Sequence, residues 1–110
     1  MLEVLIAAVF IALLIAASVW ANRRFADQAS LPMQWGISGQ VNWTAPRRVA
    51  LAFTPVLGGV IIGGTAALLI AGVPTHPGQE HMGAQVLAMQ GMAFLAGHTL
   101  HLWLISRTVR

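Results

Sequence analysis

The sequence predicts an all-α membrane protein: three transmembrane helices, with a Trp-containing interfacial loop between the first two. Composition points there first. Hydrophobic residues make up 57% of the 110 residues and charged residues only 8%, against roughly 45–50% and about 25% in ordinary globular domains. A sphere this small has too much surface to hide such an apolar excess from water. The few charges, moreover, divide the chain into three long apolar stretches.

The first stretch, Val4 to Asn22, lies between Glu3 and Arg23 and is nearly all aliphatic. At 1.5 Å per residue a helix of that length covers roughly 28 Å, close to a ~30 Å hydrocarbon core. A helix is expected over residues 3–22. Val19-Trp20-Ala21 resembles a signal-peptide cleavage sequence, but Met1-Leu2-Glu3 supplies no basic n-region and Arg23-Arg24 lies on the wrong side. A lasting anchor is therefore expected. The second stretch, Val49 to Val73, stops at Pro74 and predicts a helix over 48–73. Pro55 kinks it near its start, because proline cannot donate to the carbonyl one turn earlier. The third stretch, Gln85 to Ser106, predicts a helix over 84–106 but holds Gln90, His98, Thr99 and His101. The whole chain reads as one three-helix domain.

Orientation follows from the arginines. Arg23, Arg24, Arg47 and Arg48 flank the first loop, and Arg107 and Arg110 follow the third helix. With three spans, that loop and the C-terminus share a side, which the positive-inside rule assigns to the cytoplasm. The N-terminus and second loop then lie outside. Trp20, Trp35, Trp43 and Trp103 gather at the same end, where an indole keeps its ring apolar and its N–H near polar groups. The inner membrane of a bacterium is the expected location.

Helices in lipid associate through close packing and polar contacts, because lipid tails are as apolar as the side chains they meet. Gly59, Gly63 and Ala67 form a small-residue ridge on the second helix, continued by Ala71, and Ala8, Ala12 and Ala16 form a row on the first. They suit either a tight intramolecular bundle or a homo-oligomer surface.

The first loop is the most informative segment. It is too apolar for a plain linker and too broken by Gly and Pro for a helix. Leu31 precedes Pro32 and should be extended, and Ser38-Gly39 marks a turn between short runs that can pair as a small hairpin. As a purely structural element, such a loop would seal the helix ends with Trp35 and Trp43 as anchors.

The motif itself is Leu31-Pro32, then Gln34-Trp35, Ser38-Gly39, an amide at Asn42, and Arg47 opening the next apolar span. It resembles the domain of unknown function at the N-terminus of SdpI-type multipass membrane proteins, over roughly residues 2–73. Pro32, Trp35, Ser38 and Gly39 match the pattern. Gln34 stands where that family usually has His, Asn42 where it has Asp, and Arg47 where it often has Lys. Trp43 sits about one position from the family's second aromatic. The resemblance implies a bacterial multipass protein that is not an enzyme and meets a peptide or membrane-protein partner; the best-known member protects its host against a secreted peptide toxin. This chain is shorter than that six-helix form. Its Gln34 and Asn42 replace an ionisable pair, so they offer only neutral hydrogen bonds. The charge-derived topology also turns the loop toward the cytoplasm, away from any external toxin.

His98 and His101 lie about 60° apart around the third helix and share a face, with Gln90 within roughly 40° of His101. Intramembrane polar groups usually face the bundle interior. Interhelical hydrogen bonding is the plain reading, with a metal or haem ligand pair and a proton relay beside it. Two His with no Cys, Asp or Glu nearby fall short of a four-ligand zinc set, so no cofactor or metal is assigned. The second loop gathers His76, Glu80, His81 and Met82, but its Pro and Gly read as a solvated turn. With no Cys and only Glu3, Asp27 and Glu80 as acids, hydrolytic catalysis has little to work with. The net charge of +3 reflects scarce acids, not a nucleic-acid surface. The expected function is a non-enzymatic interaction or immunity protein in the bilayer. The alternatives are a haem- or metal-binding protein using the third-helix histidines, or a small transporter subunit.

Overall fold

The computed structural model describes residues 1–73 and 82–109. In chain order these form α1 (Leu2–Arg24), β1 (Ser30–Trp35), β2 (Val41–Pro46), α2 (Arg47–Ile70) and α3 (Gly83–Thr108). The first loop is thus a true hairpin, and the fold is three helices plus a two-stranded antiparallel sheet. This corrects the all-α expectation. The turn signal accounts for it: Gly39 takes φ +87°, and its N–H donates to the Gly36 carbonyl while Gly36 N–H donates to Gln40. Such a φ is open to glycine at little cost.

The hairpin pairs Ser30 with Pro46, Leu31 with Ala45, Pro32 with Thr44, Gln34 with Trp43 and Trp35 with Val41. Met33 is therefore an extra residue on β1, and Asn42 an extra one on β2. Two bulges on opposite strands keep the ends in register while twisting the ribbon. β1 buries Leu31 and Pro32, whereas β2 is exposed except at Ala45.

α2 ends three residues before the apolar stretch does. Gly72 adopts φ +89°, and its N–H reaches Leu69 O while Val73 N–H reaches Leu68 O. This glycine-capped Schellman closure stops the helix ahead of Pro74. α1 and α2 are each long and apolar enough to cross a membrane. α3 is longer, at 26 residues, but its polar side chains lower its mean apolarity below that of the other two.

α1 and α2 run antiparallel and α3 returns beside both. Two apolar clusters fill the interior. One, under the hairpin, joins Ala21, Phe25, Leu31, Leu51, Leu102 and Ile105. The other, at the far end, joins Ala7, Leu14, Ile62, Ala66 and Leu87. Small residues let the backbones approach: at Gly91 a Cβ would overlap the Phe10 ring, and at Gly58 it would meet Leu14. Of the two readings of the small-residue ridge, the intramolecular one is not realised. Around Gly59 and Gly63 a Cβ would have open space, and Ala67, Ala8, Ala12 and Ala16 are exposed. The inward face of α2 is one residue earlier, at Gly58, Ile62 and Ala66, where Ile62 fills the gap between small neighbours. The intramolecular reading of Gly59, Gly63 and Ala67 is therefore corrected.

Gly91→Ala should lower stability by about 1–3 kcal/mol, the usual cost of overpacking. Gly63→Ala should instead be neutral or raise it by up to about 1 kcal/mol through helix propensity. Denaturant unfolding in detergent, followed by circular dichroism, checks the pair, and equal effects would contradict this packing.

Candidate functional site

One polar side chain from each of α1 and α3 meets a backbone carbonyl of α2 inside the bundle. Pro55 lies inside α2 and has no N–H to give the Leu51 carbonyl one turn before it. Leu51 is buried, so water cannot serve that carbonyl, and an unpaired buried acceptor costs about 1–3 kcal/mol. Ser18 of α1 supplies the missing donor: its Oγ–H bonds Leu51 O at 2.7 Å. The same oxygen lies 2.7 Å from His98 Nε2 of α3. A serine hydroxyl has one hydrogen. Since Ser18 donates it to Leu51, His98 Nε2 must carry the proton and donate to Ser18. This fixes the His98 tautomer by hydrogen-bond bookkeeping. One backbone carbonyl and two side chains thus tie three helices together. His98 is fully buried; it also lies against the Leu14 backbone, yet its Nδ1 closes no hydrogen bond of ordinary geometry.

A second set of contacts docks the hairpin on the helix ends. Arg47 donates from Nε to Asn22 Oδ1 at 2.9 Å, and from one terminal nitrogen to Ala26 O and Gln28 O at 2.9 and 2.6 Å. Its backbone N–H adds a bond to Ala29 O. The planar guanidinium fork serves several acceptors at once, which an ammonium point charge would do less well. His101 Nε2 bonds the Pro32 carbonyl at 3.1 Å, and the His101 ring meets Trp35 edge to face, with centroids 5.8 Å apart. Trp35 Nε1–H donates to Thr108 Oγ1 at 3.0 Å.

The loop motif therefore divides in two. Pro32, Trp35 and Arg47 face the bundle and hold it, while Ser38 and Gly39 make the turn. Gln34, Asn42 and Trp43 are exposed on the outer side, with Gln34 paired across the strands to Trp43. The eight residues do not line one pocket.

The third-helix trio is also dispersed. His98 and His101 border a common crevice of about 390 Å³ with Met33, Thr54 and Phe94, but each Nε2 is engaged by a different partner. Gln90 lies apart, donating from Nε2 to Thr65 Oγ1 at 3.1 Å, while its Oε1 is buried without a partner. Among the described residues no three His, Asp or Glu side chains gather as a metal site. His76, Glu80 and His81 of the second loop lie outside the described residues.

Sequence reading overlooked Ser18, Thr65 and Asn22 as partners. A signal existed for the first. Pro55 announces an orphaned carbonyl at Leu51, and Ser18 is the one hydroxyl in the stretch from Val4 to Asn22.

If Ser18 serves the carbonyl that Pro55 orphans, the two positions must be coupled. Ser18→Ala should cost about 1 kcal/mol or more in the natural chain. It should cost clearly less beside Pro55→Ala, where residue 55 regains an N–H for Leu51. A double-mutant cycle on unfolding free energy measures this, and purely additive effects would remove Ser18 from that role.

No protein-family model, no curated protein and no solved structure matches this chain, so the roles of these residues rest on their own geometry.

Proposed function

We infer that the chain is a three-span integral membrane protein of a bacterial inner membrane, with a non-enzymatic interaction role. The apolar surface left outside supports the membrane placement. Phe53, Val60 and Leu68 of α2 are more than half exposed, as are Met89, Met92, Leu100 and Trp103 of α3. A soluble protein rarely leaves so much contiguous apolar surface open. Of the polar residues that dilute α3, Gln90, His98 and His101 have partners on other elements, which leaves Thr99 as the one of the four exposed outward. Its outward face is therefore apolar enough to serve as the third span. The gathering of arginines at the hairpin end supports an N-terminus outside and a C-terminus inside.

The observation that carries the functional reading is the hairpin, locked to the helix ends through Arg47, His101 and Trp35 while Gln34, Asn42 and Trp43 stay open outward. A rigid ribbon with an exposed amide pair and indole suits recognition of a peptide or of another membrane protein's exposed segment. This agrees with the resemblance to SdpI-type proteins, whose best-known member gives immunity to a peptide toxin. Both imidazole Nε2 atoms are occupied by packing partners, which favours an interhelical role over haem or metal ligation.

Orientation is tested by cysteine accessibility, since the native chain has no Cys. Membrane-impermeant reagent should label Gly78→Cys and not Ser38→Cys in intact cells. The reverse pattern would turn the hairpin outward, toward a toxin. For the interaction role, the chain is expressed in a peptide-toxin-sensitive host, where it should raise survival and Trp43→Ala or Asn42→Ala should abolish the gain with membrane levels unchanged. No protection by the unmutated chain against any candidate peptide would withdraw the immunity reading.

A further inference from the structure

The arginines at the hairpin end are unequally occupied. Arg47 is held by its hydrogen bonds. Arg24 lies 5.6 Å above the Phe25 ring centre and Arg107 lies 5.1 Å above that of Trp103. Arg23 and Arg48 alone, among the described residues, have no hydrogen bond, ion pair or ring contact. Both border the same groove, a cleft of about 500 Å³ between α1 and α2.

That groove is amphiphilic along its length. Arg23 lies in the last turn of α1 and Arg48 in the first turn of α2, so the two cations share one end. Toward the bundle centre the walls become Ile15 and Val19 on one side and Ala52 and Val56 on the other. Ile15 and Val56 are each eight residues from the arginine of their helix, or about 12 Å away. Ile15, Val19 and Val56 are about half exposed or more, and Ala52 adds only a methyl between them. Asn22, at the charged end, has given its Oδ1 to Arg47, so its amide N–H₂ remains to donate.

We propose that this groove binds one anionic phospholipid, its phosphate between Arg23 and Arg48 and an acyl chain along Ile15, Val19, Ala52 and Val56. Charge complementarity selects the headgroup. Guanidinium pairs phosphate through charge-assisted bonds, and two uncompensated cations at one interface disfavour a net-neutral occupant less able to balance them. The apolar channel running inward from the cations selects an amphiphile over a free anion. A second copy of this chain fits poorly, because its own hairpin end carries the same positive charge. The inference rests on the membrane placement proposed above.

The test uses the full chain in mild non-ionic detergent, titrated with phosphatidylglycerol, phosphatidylcholine or inorganic phosphate and read by native mass spectrometry. One phosphatidylglycerol should bind at least tenfold more tightly than phosphatidylcholine. Arg23→Gln and Arg48→Gln should each weaken it about fivefold, the usual worth of one basic residue at an anionic surface. Arg24→Gln and Arg107→Gln remove the same charge elsewhere and should leave it unchanged. Ala52→Phe fills the apolar channel with every arginine intact and should weaken phosphatidylglycerol by about tenfold. Circular dichroism confirms that each variant keeps its helices. Equal affinity for both lipids, or equal losses in all four arginine variants, would overturn the site. So would phosphate binding that needs Arg23 and Arg48 but ignores Ala52→Phe, and so would dimers in place of bound lipid. A chain that stays monodisperse without detergent would instead sink the membrane placement, a failure distinct from loss of lipid preference.

Discussion

The carbonyl of Leu51 is the constraint on which the bundle turns. Pro55 deprives it of its helical donor, and its burial deprives it of water. A buried acceptor must then find a donor on another helix, and Ser18 of α1 is the one that reaches it. Apolar contacts between Ala, Leu and Ile are nearly non-directional, so they would tolerate sliding of one helix past another. A hydrogen bond is short and directional, and it sets the α1–α2 register. Because the Ser18 oxygen also accepts from His98, one missing N–H fixes the position of α3 as well. The two apolar clusters pack on either side of that layer, and they gain their definition from it.

The hairpin end follows the same logic at a larger scale. Chain leaving α1 must turn and re-enter as α2, which strands the carbonyls of Ala26, Gln28 and Ala29. Arg47 answers all three, two through its side chain and one through its backbone N–H. His101 and Trp35 then tie the ribbon to α3. The exposed face of the hairpin is therefore mechanically continuous with the helices. Trp43 and Asn42 thus sit on a ribbon tied to the body that holds Ser18 and His98, not on a loose loop.

The arginine end has two kinds of cation, those consumed by structure and those left over. Arg47 belongs to the first kind, and the stacked Arg24 and Arg107 cover aromatic rings. Arg23 and Arg48 stand at the mouth of an apolar channel and, among the described residues, take part in no hydrogen bond, ion pair or ring contact. A small chain whose acids are few cannot neutralise its own surface, so its environment must do so. Arg47 and Arg48, one of each kind, are consecutive residues at the start of α2.

Composition, the three apolar stretches, the gathering of arginines and indoles, and the hairpin turn at Ser38-Gly39 were all legible in the sequence, because each is local. So was the N–H that Pro55 withholds from the second helix. The sequence did not reveal which face of each helix points inward. A helix that is apolar all round has no polar face to mark its outside, and the inward line was set by shape, with Gly58 and Gly91 chosen over Gly59 and Gly63 by how Leu14 and Phe10 fit. Nor could spacing show that His98 and His101, neighbours on one helix, would serve different partners. Hydrogen-bond partners some tens of residues away in the chain become neighbours only once the helices have chosen their faces. Residue type decides what a helix needs, and only tertiary packing decides which neighbour supplies it.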